Sequence, residues 1–281
     1  MREINVSEVK DVVSRLCVES CCYLPQPVQD KIKAAMLTEE SPLGREILGT
    51  LVENFELAKK KSVAICQDTG LVVVFLEIGQ DVHFVGGDLY GAIHAGVAHG
   101  YTTGYLRKSS VGDPLFDRKN SNDNTPAIIH TKIVPGDKVK FIVLPKGCGS
   151  ENMGAIKMLK PADGVEGVKK FVVDTVRAAG PNPCPPITVG VGIGGNMEQA
   201  TLLAKHSLTR TMGEHNADPR YAKLEEELLE LVNKTGVGPS GLGGRTTALA
   251  VNVEFTHTHI GGLPCAVNLN CHAARCAEAE L

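Results

Sequence analysis

The sequence predicts a mixed α/β fold, with a helical N-terminal part packed on a mixed-sheet α/β body. Three observations predict it. Apolar residues recur at helical spacing through the first sixty positions, as in Leu43, Ile47, Leu48, Leu51, Val52 and Phe55. Beyond them, short apolar runs alternate with further helical patterns. No internal repeat and no evident linker divides the chain, so residues 1–281 read as one domain, its helical part at about 1–62.

Residues 5–20 read as a helix because Val9, Val12, Val13 and Leu16 share a face. Residues 27–37 and 43–60 follow as helices. Ser41-Pro42 starts the second of these, and Lys59, Lys60 and Lys61 suit its C-terminal dipole. Val63–Ile65 and Leu71–Ile78 read as strands. Asp88–Gly104 is a helix of small residues, able to pack tightly or to reach a ligand. Asp113–Pro126 is a polar loop. Ala127–Val134, the turn PGD and Lys138–Leu144 predict a β-hairpin. A helix at Val165–Ala179, a strand at Ile187–Val191, and helices near Asn196–Arg210 and Pro219–Asn233 come next. Thr246–Phe255 and Ala266–Leu269 close the chain as strands.

Composition removes several classes of function. With 281 residues, 43% hydrophobic, the chain can bury a sizeable core. A net charge of −3 gives no general attraction to nucleic acid or anionic membranes. Tryptophan is absent and aromatics are 4%, which leaves little to stack on bases. No apolar stretch approaches the ~20 residues of a membrane span. The opening MREINVSEVKDVVSRL is too charged for a signal peptide, so a cytoplasmic location is expected.

Nine cysteines, an odd number in a long chain without an export signal, argue against a disulfide framework. Most are expected to be small buried hydrophobes. Cys17, Cys21 and Cys22 lie on the first helix in a spacing that suits no metal. Cys66, Cys184 and Cys271 differ, because each stands where an apolar segment meets a turn. Cys184 is penned in NPCPP, where proline restricts the backbone on both sides. The three lie too far apart in sequence for a local zinc finger or ferredoxin pattern, so only the fold could bring them to one metal. Gly190–Gly195 matches G-x-G-x-x-G between a strand and a helix. It sits late in the chain and lacks the later acidic residue that would hold a ribose. A nicotinamide-dependent dehydrogenase, a structural zinc module and an electron-carrying iron–sulfur module therefore stay open, as does plain glycine packing.

Six segments carry a resemblance: AICQDTG (64–70), PKGCGSEN (145–152), GPNPCPP (180–186), GIGGNMEQATLLAKHSL (192–208), GLGGRTTALAV (241–251) and THTHIGGLPCAVNLNC (256–271). In this order they resemble the α subunit of the oxygen-sensitive iron–sulfur hydro-lyases, the family of class I fumarate hydratase and L-tartrate dehydratase, from about residue 10 onward. The resemblance implies that Cys66, Cys184 and Cys271 hold a [4Fe–4S] cluster with one iron open to act as a Lewis acid. It implies substrate contacts from Gln67, Arg107 and the Gly149 backbone, and catalytic roles for Asp68 and His259, with His257 a close rival. Arginine suits a carboxylate because its fork binds both oxygens. Cys265 and Cys276 flank Cys271 and are rival third ligands.

Two departures matter. Fused members of the family carry a further C-terminal domain that supplies the base, whereas this chain ends ten residues after Cys271. A separate β subunit and an α2β2 heteromer are therefore expected. Cys148 stands where the family pattern reads KGGGS, and it is a candidate to approach the open iron when substrate is absent. The leading expectation is hydration of fumarate to L-malate, with dehydration of L-tartrate as the alternative. Both substrates are C4 dicarboxylates.

Overall fold

The run Leu71–Gly79 (LVVVFLEIG) is buried along nearly its whole length. Such an unbroken apolar run is what a strand covered on both faces requires. In the computed structural model, which describes all residues 1–281, it becomes the inner strand of a four-stranded sheet.

In chain order the elements are β1 (Arg2–Asn5), α1 (Val6–Cys22), α2 (Gln26–Thr38), α3 (Pro42–Lys61), β2 (Leu71–Gly79), β3 (Val82–Val85), α4 (Leu89–Thr103), β4 (Ile128–Val134) and β5 (Val139–Lys146). They continue with α5 (Cys148–Glu151), β6 (Ala155–Leu159), α6 (Gly164–Ala179), β7 (Ile187–Gly195), α7 (Met197–His206), α8 (Pro219–Asn233), β8 (Ala248–Thr258), β9 (Leu263–Asn270) and β10 (Ala277–Glu280). This is the mixed α/β class the sequence predicts. No helix is long and apolar enough to cross a membrane.

The chain divides into two compact units. One comprises Met1–Leu24, Phe55–Cys148 and Arg275–Leu281; the other comprises Pro25–Asn54 and Gly149–Ala274. The sequence, read as one domain, shows no linker at these crossings for a simple reason. Two of them fall inside helices: α3 and α5 each begin in one unit and end in the other.

In the first unit the strand order is β10-β5-β2-β4. The sequence predicts a hairpin of β4 with β5, but β2 lies between them, parallel to β4 and antiparallel to β5. The physical reason is the two-sided burial of β2, which needs a ladder partner on each edge. The PGD turn consequently spans the end of β2. Gly79 N–H donates to Lys138 O (2.8 Å), Gln80 N–H to Val134 O (2.8 Å) and Asp81 N–H to Gly136 O (3.0 Å). A Cβ on Gly79 would stand 2.4 Å from Gly136 O, so only glycine fits.

Helices α1 and α4 pack together in the same core, where Val9, Val13, Leu16 and Cys17 meet Val97 and Tyr101. The small residues of α4 serve this contact. A Cβ on Gly96 or Gly100 would lie 2.7 Å from Lys10 O or 2.6 Å from Ser14 O respectively. Of the two roles open to this helix, its glycines take the packing one.

The second unit is built on the sheet β6-β9-β7-β8, with β7 parallel to β8 and antiparallel to β9. One face carries Val189, Val191, Val253 and Leu269 against Val172 of α6 and Leu228 of α8. Helix α7 covers the other face, where Gly190 and Gly192 leave it room. Cβ atoms there would fall 2.1 Å from Ala204 O and 2.0 Å from Ala200 O. The G-x-G-x-x-G string is thus a strand–helix packing device.

At the joint between α2 and α3, Glu39 is 3% exposed. Its Oε1 accepts N–H bonds from Glu40 (2.9 Å), Ser41 (3.1 Å) and Arg245 (2.8 Å), and its Oε2 accepts one from Thr246 (2.8 Å). Burial pushes the carboxyl pKa up, but the bonds from Arg245, Ser41 and Thr246 outweigh it and hold it at about 2.

Two outcomes follow from these contacts. Gly79→Ala should cost about 1–3 kcal/mol in urea unfolding of the chain, as overpacking against a backbone oxygen does. A depressed carboxyl contributes stability above its unfolded pKa and loses it as pH falls. Glu39→Gln should therefore destabilise the chain above pH 4.5 and converge with wild type towards pH 2. Circular-dichroism melts across that range would show it.

Candidate active site

In the first unit the site candidates gather on the segment 66–70, just ahead of β2. The sequence predicts a strand at Val63–Ile65, but these residues form an irregular connection, anchored by Ile65 N–H on Cys21 O (2.9 Å). Thr69 is buried, and its hydroxyl donates to Arg107 O (3.0 Å). Its own carbonyl accepts the Tyr101 hydroxyl (2.6 Å). Burial raises the Tyr101 pKa far above the phenol range, which keeps that proton in place. Asn124 closes the arrangement, giving Nδ2–H to Gly70 O (3.1 Å) and taking Ser109 N–H on Oδ1 (2.7 Å). The segments bearing Gln67 and Arg107 are thus tied together through backbone atoms, while both side chains are exposed.

Asp68 is the most constrained of the candidates. Its Oδ1 accepts Gly70 N–H (2.9 Å) and its Oδ2 accepts Cys148 N–H (2.9 Å). Two backbone donors, one on each oxygen, fix the plane of the carboxyl group. Gly147 passes close by, where a Cβ would stand 2.7 Å from Arg275 Nη2 and 3.2 Å from Asp68 Oδ2. Cys66 is half-buried and Cys148 exposed.

In the second unit Cys184 and Cys271 lie at one end of the sheet. Thr188 of β7 pairs with Asn270 of β9, which places the preceding NPCPP loop beside the residue after β9. The Cys184 carbonyl accepts His272 N–H (3.3 Å), and His272 Nδ1 lies 3.1 Å from the same oxygen. Gly149 belongs to this end too, since a Cβ on it would meet Asn182 O at 3.0 Å. Cys184 has φ +56°, a left-handed conformation that costs a non-glycine residue about 1–2 kcal/mol. The flanking prolines therefore hold a strained residue, beyond the restricted one the sequence predicts.

His259 stands elsewhere. It lies on the connection before β9, whose eight residues put roughly 26 Å of strand between it and Cys271. Its Nδ1 accepts Gly261 N–H (3.1 Å), and it borders a cavity of about 600 Å³ with Val165, Ile193, Tyr221, Ile260 and Leu263. His257 falls at the same end of the sheet.

The other cysteines behave as packing residues. Burial pushes the Cys21, Cys265 and Cys276 thiols up to about 12, and raises Cys17 and Cys22 as well. Cys265 is wholly inside the core beneath α6 and α8. No three His, Cys, Asp or Glu side chains already converge as a metal site. The donor chemistry nonetheless suits an iron–sulfur group. Cys184 and Cys271 are thiols outside any disulfide, brought to one sheet end, and one of them is held against its backbone preference.

Sequence reasoning passed over Thr69, Tyr101 and Asn124, which act through backbone carbonyls, and Lys205, whose partner is Glu151. Thr69, Lys205, Glu151 and Asn268 all stand inside segments that carry the family resemblance, which is the only sequence signal for them.

Replacing Cys184 by glycine relieves the left-handed strain, whereas alanine keeps it. Cys184→Gly should be about 1 kcal/mol more stable than Cys184→Ala, with a correspondingly higher melting temperature. Calorimetry of the two variants checks this.

Comparison with known proteins identifies the family. The family model described as fumarate hydratase (Fumerase) matches residues 10–280. A Methanocaldococcus jannaschii protein, provisionally named L(+)-tartrate dehydratase subunit alpha, is 40% identical over 273 residues, 95% of each chain. The L(+)-tartrate dehydratase subunit alpha of Escherichia coli K12 is 31% identical over 274 residues, covering 96% of this chain and 89% of that one. The same-named protein of Shigella sonnei matches to the same extent. A match across nearly the whole chain makes it a member of the fumarate hydratase (Fumerase) family of hydro-lyases.

Proposed function

We propose that this chain is the α subunit of an iron–sulfur hydro-lyase that dehydrates L(+)-tartrate together with a separate β subunit. For the reaction class, the supporting observation is Asp68, a carboxyl group held by two backbone N–H groups on a loop tied to the Arg107 segment. For the substrate, the support comes from relatives 40% and 31% identical that bear the tartrate dehydratase name. That name favours tartrate over the fumarate expected from sequence. Fumarate hydration is the second reading, supported by the description of the family model.

Dehydration of a dihydroxy diacid removes a proton from a carbon next to one carboxylate and expels hydroxide from the neighbouring carbon. The carbon–hydrogen and carbon–oxygen electron pairs become the new double bond and the leaving group. Cys66, Cys184 and Cys271 would hold a [4Fe–4S] cluster, whose iron without a protein thiolate supplies Lewis acidity to a substrate oxygen. Arg107 has its guanidinium in solvent, available to take a substrate carboxylate in a bidentate pair. Gln67 offers an amide and Gly149 a backbone N–H, both exposed. Asp68, bound to Gly70 and Cys148 N–H, fixes the loop that carries Gln67 and would assist the base. The proton acceptor itself is assigned to the β subunit, as the family resemblance implies. His259, at the far end of β9, is left out of this chain's own diacid contacts. The reading includes an α2β2 assembly in the cytoplasm, where thiols stay reduced.

The test is anaerobic co-assembly of this chain with its β subunit, assayed on L(+)-tartrate, fumarate and L-malate. Turnover of tartrate is expected, lost on chelation of iron. Asp68→Asn should lower kcat at least about tenfold while leaving the fold intact. Turnover of fumarate and malate alone would install the second reading, and inactivity on all three diacids would overturn both.

A further inference from the structure

Helix α5 is a single turn, yet its last residue is held unusually firmly. Glu151 Oε1 accepts the Lys205 ammonium from α7, and its Oε2 accepts Asn268 Nδ2–H from β9 at 3.1 Å. Lys205 is only 17% exposed, so this ion pair is better shielded than an ordinary surface pair. Asn268 is 9% exposed, and its amide oxygen is buried with no hydrogen-bond partner. A buried acceptor without a partner is unfavourable, and native chains usually avoid it. Turning the amide over would set that oxygen against the Glu151 carboxylate, which explains why the orphan is kept. The orientation of Asn268 is thus set by Glu151, at the expense of its own oxygen.

Packing explains how these groups meet. Asn268 faces α7 because β9 alternates: Val267 and Leu269 point to the core under α6 and α8, and Ala266 packs with Ala200 and Ala204 of α7. Gly190 pairs with Asn268 across the sheet and lets α7 approach, which brings the end of that helix and Lys205 over β9. Ser150, next to Glu151, is 3% exposed, so the turn is seated as well as clamped.

We propose that Lys205 and Asn268 are positioning residues for the diacid site: by gripping Glu151 they fix the Cys148–Glu151 turn that presents the Gly149 backbone to substrate. The inference rests on the proposed function and deepens it. Neither residue touches substrate; both act through Glu151. The clamp selects where the Gly149 N–H points, so its loss shows in substrate binding before it shows in chemistry.

The experiment uses the anaerobically assembled α/β holoenzyme carrying Lys205→Met, Lys205→Arg or Asn268→Leu, with L(+)-tartrate and fumarate as probes. Lys205→Met and Asn268→Leu should raise KM about tenfold with kcat changed less than threefold, and Lys205→Arg should restore KM. Hydrogen–deuterium exchange on the same assemblies should show faster exchange confined to residues 147–154 in the first two variants. An unchanged KM overturns the proposal, whatever the exchange shows. So does a loss of kcat and melting temperature together that Lys205→Arg fails to reverse, because that is a structural role. A wild-type holoenzyme inactive on both diacids, with the local exchange change still present, overturns the functional reading and removes the substrate role from the clamp.

Discussion

The carboxylate of Asp68 is the constraint on which the first unit's part of the site depends. Strands β2 and β5 pair antiparallel, with Leu71 opposite Lys146. Just beyond that pair the two chains part, and Asp68 continues the connection with its side chain, accepting Cys148 N–H while Gly70 N–H holds its other oxygen. Everything near it is arranged to let the backbones converge. Gly70 sits at φ +72° where a Cβ would lie 2.5 Å from the Lys146 backbone, and Gly147 leaves space for the Arg275 guanidinium. A larger residue at either position would push the carboxylate off its donors.

Around the segment 66–70 and at Glu39, side chains act mainly on the backbone. Thr69, Tyr101 and Asn124 all act on backbone carbonyls, and Glu39 and Asp68 both act on backbone N–H groups. Backbone donors and acceptors cannot rotate away, so a carboxylate or amide bound to them defines the path of a loop. This suits an irregular segment that must hold its shape without secondary structure, as 66–70 does. Cys184, one of several non-glycine residues with positive φ, is kept in place by the surrounding prolines and the His272 contact.

The sequence made several elements legible and misled on others. The helices α1, α2, α3, α6 and α8 could be placed because each carries a one-sided apolar stripe that any helical partner would bury. The β4–β5 hairpin could not be excluded, since the pattern strand–PGD–strand is local while the strand that separates the pair is distant in sequence. β1, β3, β6 and β10 went unseen, being short and partly exposed. G-x-G-x-x-G was legible as a string and ambiguous as chemistry, because glycine serves a phosphate and a crossing helix equally well. Among the candidate site residues, Cys184 and Cys271 do end beside one another, while His259 lies a strand's length from Cys271.

The sequence by itself determined the fold class and most helices, because hydrophobic period is a property of neighbouring residues. Only the tertiary structure decided that β2 parts β4 from β5, that Asp68 holds the turn at Cys148, and that Lys205 and Asn268 grip Glu151. Those are contacts between segments remote along the chain. Which carbonyl, carboxylate or ammonium ends up within 3 Å of which donor is fixed by strand register and helix approach, and neither is written in any local stretch of residues.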